Sequence, residues 1–400
     1  MSEWKEYGLN EIASFSQGKQ IPVSDQFENN LEGLDRFIRI VDFTSDWTQP
    51  ARYVKKDDKY KVGRNDIVML RYGTPGKVFR GHEGIIANNM FKIAPDESIV
   101  TKEYLYWFLY QDSVYKILMA NQSSSTMPAI SFKMLSCVNV RVPSFDMQEQ
   151  ISSFFDYIDD KIAVNRCICE NLEAQAQALF KHWFIDFAPF KNGQFVESEL
   201  GMIPEGWRVG RADDFYTINI GKTPPRAERQ WFSESRENNK IWISISDMGG
   251  CGVFISDSKE YLTPEAQSKF NVVMVPVGTV LLSFKLTLGR VAIADAELTT
   301  NEAIARFILP NSDYREYTYL YLKQFKYGSL GSTSSIATAV NSKIIKAMPF
   351  LMPSKEIIKD FSNKAGKLFD EIKNLNQESS RLSTLRDTLL PKLMSGQIKV

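Results

Sequence analysis

Along two stretches of this 400-residue chain, apolar side chains recur at alternating steps of four and three. The first ladder is Ile151, Phe155, Ile158, Ile162, Asn165, Cys169, Leu172, Ala176, Leu179 and Trp183. The second, 210 residues further on, is Phe361, Ala365, Leu368, Ile372, Leu375, Ser379, Leu382, Arg386, Leu389 and Leu393. This is the spacing of a coiled-coil seam. It predicts helices over 146–184 and about 355–394, with Pro391 disturbing the last turn. The first would be roughly 58 Å long at 1.5 Å per residue. Alone it would expose its seam, and the second ladder is the obvious partner. Asn165, Ser379 and Arg386 are polar at seam positions and would help fix the register. The competing possibility is two amphipathic helices packed only on their own domains; a seam sustained over so many turns speaks against it.

Before each ladder the pattern changes to short, turn-bounded apolar runs. Those at 36–41, 66–72, 84–87, 90–93 and 138–142 are rich in Val, Ile and Phe and predict strands. One helical stretch, 102–119, interrupts them. The expected class is α+β with a mostly β core. The second half repeats the order. Trp4 is matched by Trp207, Gly18-Lys19-Gln20 by Gly221-Lys222-Thr223, and Gly76-Lys77-Val78 by Gly289-Arg290-Val291. Asn88 is matched with Asn301, Tyr104-Leu105 with Tyr319-Leu320, and Lys133 with Lys343. The chain thus reads as two copies of one unit, a globular head followed by a long helix. Residues 185–206, with Pro189, Gly193, Gly201, Pro204 and Gly206, read as a linker with turn chemistry.

Composition narrows the partners. Net charge is zero and pI about 6.8, which excludes a pervasively basic nucleic-acid coat but not a local basic face. Four cysteines without a CxxC, and only His82 and His182, give no zinc set at sensible spacing. Reduced thiols in a cytoplasmic protein are the expectation. The charged N-terminal stretch lacks an apolar signal core, and the apolar run 270–284, broken by Pro276 and Gly278, is too short for a membrane span.

Several stretches then resemble one family. Gly201-Met202-Ile203-Pro204-Glu205-Gly206-Trp207, the junction Pro143-Ser144-Phe145-Asp146-Met147-Gln148-Glu149-Gln150-Ile151, and the C-terminal run Leu382 to Ile398 resemble the specificity subunit of type I restriction-modification systems. The second junction, Pro353-Ser354-Lys355-Glu356-Ile357-Ile358, departs by lacking the Glu-Gln pair. The resemblance implies two mostly β target recognition domains, 1–145 and 205–353, separated by two long helices, 146–184 and 354–400, that form an antiparallel coiled coil, with 185–204 as linker. It implies a target on double-stranded DNA that is bipartite and asymmetric. It implies two modification subunits using S-adenosylmethionine, and restriction subunits using ATP and Mg, with no cofactor in this chain.

Base reading needs Arg, Lys, Asn, Gln, Ser or Thr at base edges, and phosphate positioning needs cations. The repeated loops supply Lys19, Arg71, Tyr72, Lys77, Ser123, Ser124, Ser125 and Lys133 in the first head. In the second they supply Lys222, Thr223, Arg226, Lys285, Arg290, Ser332, Thr333, Ser334 and Lys343. Phe180, His182, Phe184, Leu385 and Leu390, read as outward helix positions, are candidates for docking the modification subunits.

No catalytic or metal site is expected. Gly221-Lys222-Thr223 imitates the end of a phosphate-binding loop, but Tyr216 stands where its first glycine is required. Asp186-Phe187-Ala188-Pro189-Phe190 lacks the Pro-Pro pair of adenine methyltransferases, and neither histidine sits in a nucleophile motif. A non-catalytic DNA-recognition subunit is the leading expectation. A coiled-coil scaffold whose heads bind proteins is the alternative, favoured by the neutral charge.

Overall fold

A computed structural model describes residues 4–44, 50–120, 129–330 and 340–399. The chain divides into two compact units, Met1–Ala163 with Ser379–Val400, and Val164–Glu378. Both boundaries fall inside the long helices, which run Phe145–Phe180 and Lys355–Met394.

In the first unit the strands are β1 (Lys5–Gly8), β2 (Ala13–Gln17), β3 (Leu34–Ile38), β4 (Arg52–Lys55), β5 (Lys61–Val62), β6 (Ile67–Leu70), β7 (Val78–Phe79), β8 (Gly84–Ile86), β9 (Met90–Pro95) and β10 (Asn139–Val142). β1 pairs with β10, Lys5 opposite Val142, so the head closes on itself. One antiparallel sheet has the order β2-β9-β6-β7; the other, β4-β3-β8-β5, contains a parallel β3–β8 pair. The helix expected over 102–119 is two helices, Lys102–Tyr110 and Asp112–Ala120. Gln111 is extended between them, and its side-chain amide donates to Phe108 O at 3.0 Å, which ends the first helix. The strand expected over 36–41 stops at Ile38. A short helix, Ile40–Thr44, follows because Asp42 accepts from the Arg39 N–H at 2.7 Å.

The second unit holds β11 (Phe195–Ser198), β12 (Gly201–Pro204), β13 (Arg208–Arg211), β14 (Thr217–Ile220), β15 (Phe232–Ser233), β16 (Lys240–Ile243), β17 (Phe254–Ile255), β18 (Tyr261–Leu262), β19 (Val280–Ser283), β20 (Val291–Ala294), β21 (Thr299–Thr300), β22 (Ile304–Ile308) and β23 (Pro349–Met352). β13 and β23 close this head, Arg208 opposite Met352. The sheets β14-β22-β19-β20-β17 and β15-β18-β16-β21 repeat the first unit, including a parallel β16–β21 pair. The segment read as a linker carries the β11–β12 hairpin.

The repeat extends to single hydrogen bonds. Tyr104 donates its hydroxyl to Arg141 O in β10, and Tyr317 donates to Leu351 O in β23, at the same register of the closing pair. Lys102-Glu103-Tyr104 therefore matches Arg315-Glu316-Tyr317, and the pairing of Tyr104 with Tyr319 is corrected by two residues.

The ladder residues pack in both ways considered. In the second unit the helices run antiparallel: Asn165 donates to Glu378 at 2.7 Å, and Cys169 lies by Ile372 and Asn376. In the first unit Arg386 donates to Asp159 at 2.7 Å. The same stripes also complete the heads. Ile151, Phe155 and Ile158 join Tyr104, Trp107, Leu393 and Met394 in one core, and Phe361, Ala365 and Ile372 join Tyr317 and Phe350 in another. The apolar stripe is wider than a two-helix seam because each helix has two neighbours to cover.

Candidate nucleic-acid interface

Each head brings three loops to one corner. In the first, Gly18 N–H donates to Met90 O at 3.0 Å and Lys19 N–H to Ile86 O at 2.8 Å. Arg71 N–H donates to Asn89 O at 2.9 Å, and Ile130 N–H to Arg71 O at 3.1 Å. In the second, Gly221 N–H donates to Ile304 O at 3.1 Å, Lys222 N–H to Thr300 O at 2.9 Å and Phe284 N–H to Ala303 O at 2.9 Å. Glycine is needed at both crossings. A Cβ on Gly18 would fall onto the backbone of Ile86 and Ala87, and one on Gly221 onto Thr300 and Asn301.

This geometry fixes the correspondence between the heads. Lys19 answers to Lys222, Tyr72 to Lys285 and Lys77 to Arg290. Asn88 answers to Glu302, not to Asn301 as the sequence match had it, because Met90 and Ile304 accept the same bond. The polar contact across the corner is accordingly Asn88 to Gln20 (3.3 Å) in one head, and Thr223 to Glu302 in the other. Gln20 and Asn88 entered the sequence reading only as landmarks of the repeat, and Glu302 not at all; none of the three was named there as a DNA contact.

The candidate side chains fall into distinct groups. Lys133, Lys222, Lys285 and Lys343 are exposed. Lys19 is half-paired: its ammonium lies 2.6 Å from Asp57, whose carboxyl this bond holds below its ordinary pKa, and 5.7 Å from the Tyr60 ring centroid. Arg71 lies over Tyr72, 5.2 Å from the ring centroid. Arg226 is ion-paired with Glu260 and lies 4.4 Å and 4.5 Å from the ring centroids of Phe232 and Trp242. The Trp242 indole N–H in turn donates to Lys222 O at 3.2 Å.

Lys77 is exposed at the edge of its head, whereas Arg290 is drawn into the second head. Lys77 sits 4.4 Å from the Tyr115 ring centroid at a cavity of about 580 Å³ that Asp112 also lines. Arg290 donates to Ile245 O at 2.6 Å and clamps the short helix Ile245–Gly250. Ser123, Ser124, Ser125, Ser332, Thr333 and Ser334 lie outside the described residues.

The docking candidates divide likewise. His182 and Leu385 are exposed. Phe180, Phe184 and Leu390 are not outward positions: Phe180 and Phe184 are buried against Tyr317 and Phe361, and Leu390 is in the first unit's core. Heptad position gave them an outer face, but the heads cover that face.

A second repeated motif went unread. Ile38-Arg39-Ile40-Val41-Asp42 matches Ile243-Ser244-Ile245-Ser246-Asp247. In each, the aspartate accepts the N–H three residues back, at 2.7 Å and 2.8 Å, and so starts the helix after the parallel strand. Burial opposes the charge on Asp42, but hydrogen bonds from Arg39 and Arg36 outweigh it and hold its pKa below the ordinary value. The signal was a period of 205 residues carrying an aspartate, visible only when the two parallel strands are superposed.

The family model for the type I restriction modification DNA specificity domain matches residues 1–174 and 204–379. The chain belongs to this family. It is 25% identical to the HindI specificity subunit of Haemophilus influenzae, over the whole of both chains. It is 29% identical to the MjaIX specificity subunit of Methanocaldococcus jannaschii, over 86% of this chain and 80% of that one. The fold resembles the crystal structure of the type I restriction-modification S subunit from M. genitalium, with a TM-score of 0.53, 13% identity, and coverage of 98% of this chain and 96% of that one. Each copy of the family match contains one complete corner.

Proposed function

We propose that this chain reads DNA sequence for a type I restriction-modification complex, one half of a bipartite target with each head. The observation that carries this reading is the duplicated corner, where a glycine-cation loop meets a second polar loop inside each copy of the family match. Two heads with one backbone geometry and different corner chemistry, Gln20 and Asn88 against Thr223 and Glu302, suit two different half-sites. The recognition domains are taken as 1–145 and 205–353, the helical regions as 146–184 and 354–400, and the linker as 185–204. A helix of 36 residues is about 54 Å long, enough to separate half-sites by one to two turns of duplex at about 34 Å per turn.

The chain itself is non-catalytic in this reading. Two modification subunits bind S-adenosylmethionine and methylate the DNA; restriction subunits use ATP and Mg. Exposed helix positions such as His182 and Leu385 serve docking. The assembly works in the cytoplasm; among the described residues no helix is long and apolar enough to cross a membrane.

The test is methylome sequencing of plasmid DNA after co-expression with the modification subunit. Adenine methylation in a two-part asymmetric motif, lost when this chain is omitted, supports the reading. A stable complex that methylates nothing while this chain fails to bind duplex DNA rejects it.

A further inference from the structure

Leu286 stands in the turn joining β19 to β20 with φ +60°, and the residue is 101% exposed. The Thr287 N–H donates to Lys285 O at 2.6 Å, which closes a γ-turn on Leu286. With positive φ this is the rare and strained form of that turn. Neither property helps folding. The left-handed region disfavours a residue with a Cβ, and an apolar side chain standing wholly in water gains nothing from burial. At the equivalent position the first head has a glycine, Gly73, at φ +79°.

The strained turn sits on a rigid platform. Ser283 is fully buried; its hydroxyl donates to Thr287 O and accepts from the Arg290 N–H at 3.0 Å. The Gly289 N–H donates to Ser283 O at 3.0 Å, and the Arg290 guanidinium anchors to Ile245 O. Backbone strain persists where the surroundings over-determine it, and such places concentrate at ligand contacts. Leu286 follows Lys285, and Phe284 and Gly221 bond to Ala303 and Ile304, so the turn and the Lys222 loop share one corner.

We infer that Leu286 is an apolar DNA-contacting tip of the second head, with Lys285 beside it on a phosphate. This rests on the DNA-reading function proposed above. Its side chain meets an apolar surface of a base in the second half-site. Duplex DNA offers two such surfaces, the thymine methyl in the major groove and the face of a base at an opened step. The adjacent cations suit a polyanion and no apolar protein partner.

The experiment uses the full chain with its modification subunit, scored by methylome and by binding to the target duplex. Leu286→Gly relieves the strain, so its Tm should equal or exceed that of the parent. Its affinity for the target should nevertheless fall about tenfold, with the motif relaxed in the second half-site alone. Leu286→Ala, which keeps the strain and loses the apolar tip, should fall equally. If the surface is a thymine methyl, deoxyuridine in that half-site lowers parent affinity to the variant's. If it is an opened step, 2-aminopurine placed there brightens with the parent only. A Leu286→Gly complex that methylates the same motif with unchanged affinity overturns the inference and leaves the DNA reading intact. A parent complex that binds no two-part duplex overturns the reading itself.

Discussion

Asn165 is fully buried in the seam and donates its side-chain amide to the Glu378 carboxylate at 2.7 Å. The bond crosses between the two long helices within the second unit and costs stability to lose, because a carboxylate is left short of a donor. Asn165→Ala should lower unfolding free energy by about 2 kcal/mol, the range for a hydrogen bond to a charged group. Denaturant melts of the parent and variant measure it. A change below about 0.5 kcal/mol would mean that water replaces the amide at no cost.

Asp66 makes head one sensitive to acid. It accepts from Lys92 at 2.6 Å, Lys102 at 3.0 Å and the Gly63 N–H at 2.9 Å, joining the start of β6 to β9 and to the helix Lys102–Tyr110. Burial works against its charge, but these bonds prevail and the carboxyl pKa lies below its ordinary 3.8. A carboxylate with a depressed folded pKa contributes stability above its unfolded pKa, and that stability disappears as pH falls through the folded value. The loss should therefore appear below about pH 4. Asp66→Asn should cost about 2 kcal/mol at pH 7 and flatten the acid limb of a Tm–pH profile. A variant whose acid limb matches the parent's would remove Asp66 from the account.

What the sequence made legible follows the range of the physics. The ladders and the two-copy layout were readable because side-chain period is local and repeats survive loop insertions. The glycines at 18 and 221 stood out because only a residue without Cβ fits those crossings. Register was less legible. Asn88 was matched to Asn301 by residue type, whereas the bonds accepted by Met90 and Ile304 fix Glu302 as its counterpart. The docking aromatics failed for a longer-range reason: nothing near Phe180 or Phe184 in sequence announces that Tyr317 and Phe361 will cover them. Arg290 looked like a free cation because the carbonyl that anchors it, Ile245 O, lies 45 residues away.

The two crossing glycines should separate the heads functionally. Gly18→Ala forces Ile86 and Ala87 away from the Lys19 loop, and Gly221→Ala does the same to Thr300 and Asn301. Each should cost roughly 1–3 kcal/mol, concentrated in its own corner. In methylome sequencing, Gly18→Ala should relax or abolish one half of the motif and Gly221→Ala the other. If both variants altered the same half, the heads would not read independently.

Arg226 should read a base. Its guanidinium is ordered by Glu260 and by the rings of Phe232 and Trp242, yet its side chain remains 48% exposed. A phosphate contact gains little from such ordering, because a mobile lysine serves it. Discrimination of a base edge needs a planar donor fork held at fixed orientation, and guanine, with O6 and N7 as acceptors, is the base that arginine pairs with bidentately. Arg226→Lys keeps the charge and loses the fork. It should weaken methylation of the parent motif by about 10-fold or more through one guanine position in the second half-site, while the slope of affinity against salt stays near the parent's. Arg226→Gln should lose the same guanine preference and also reduce that slope. Should Arg226→Lys keep the full motif and Arg226→Gln merely reduce affinity at every sequence, the side chain is a phosphate contact and its aromatic seat only holds the loop.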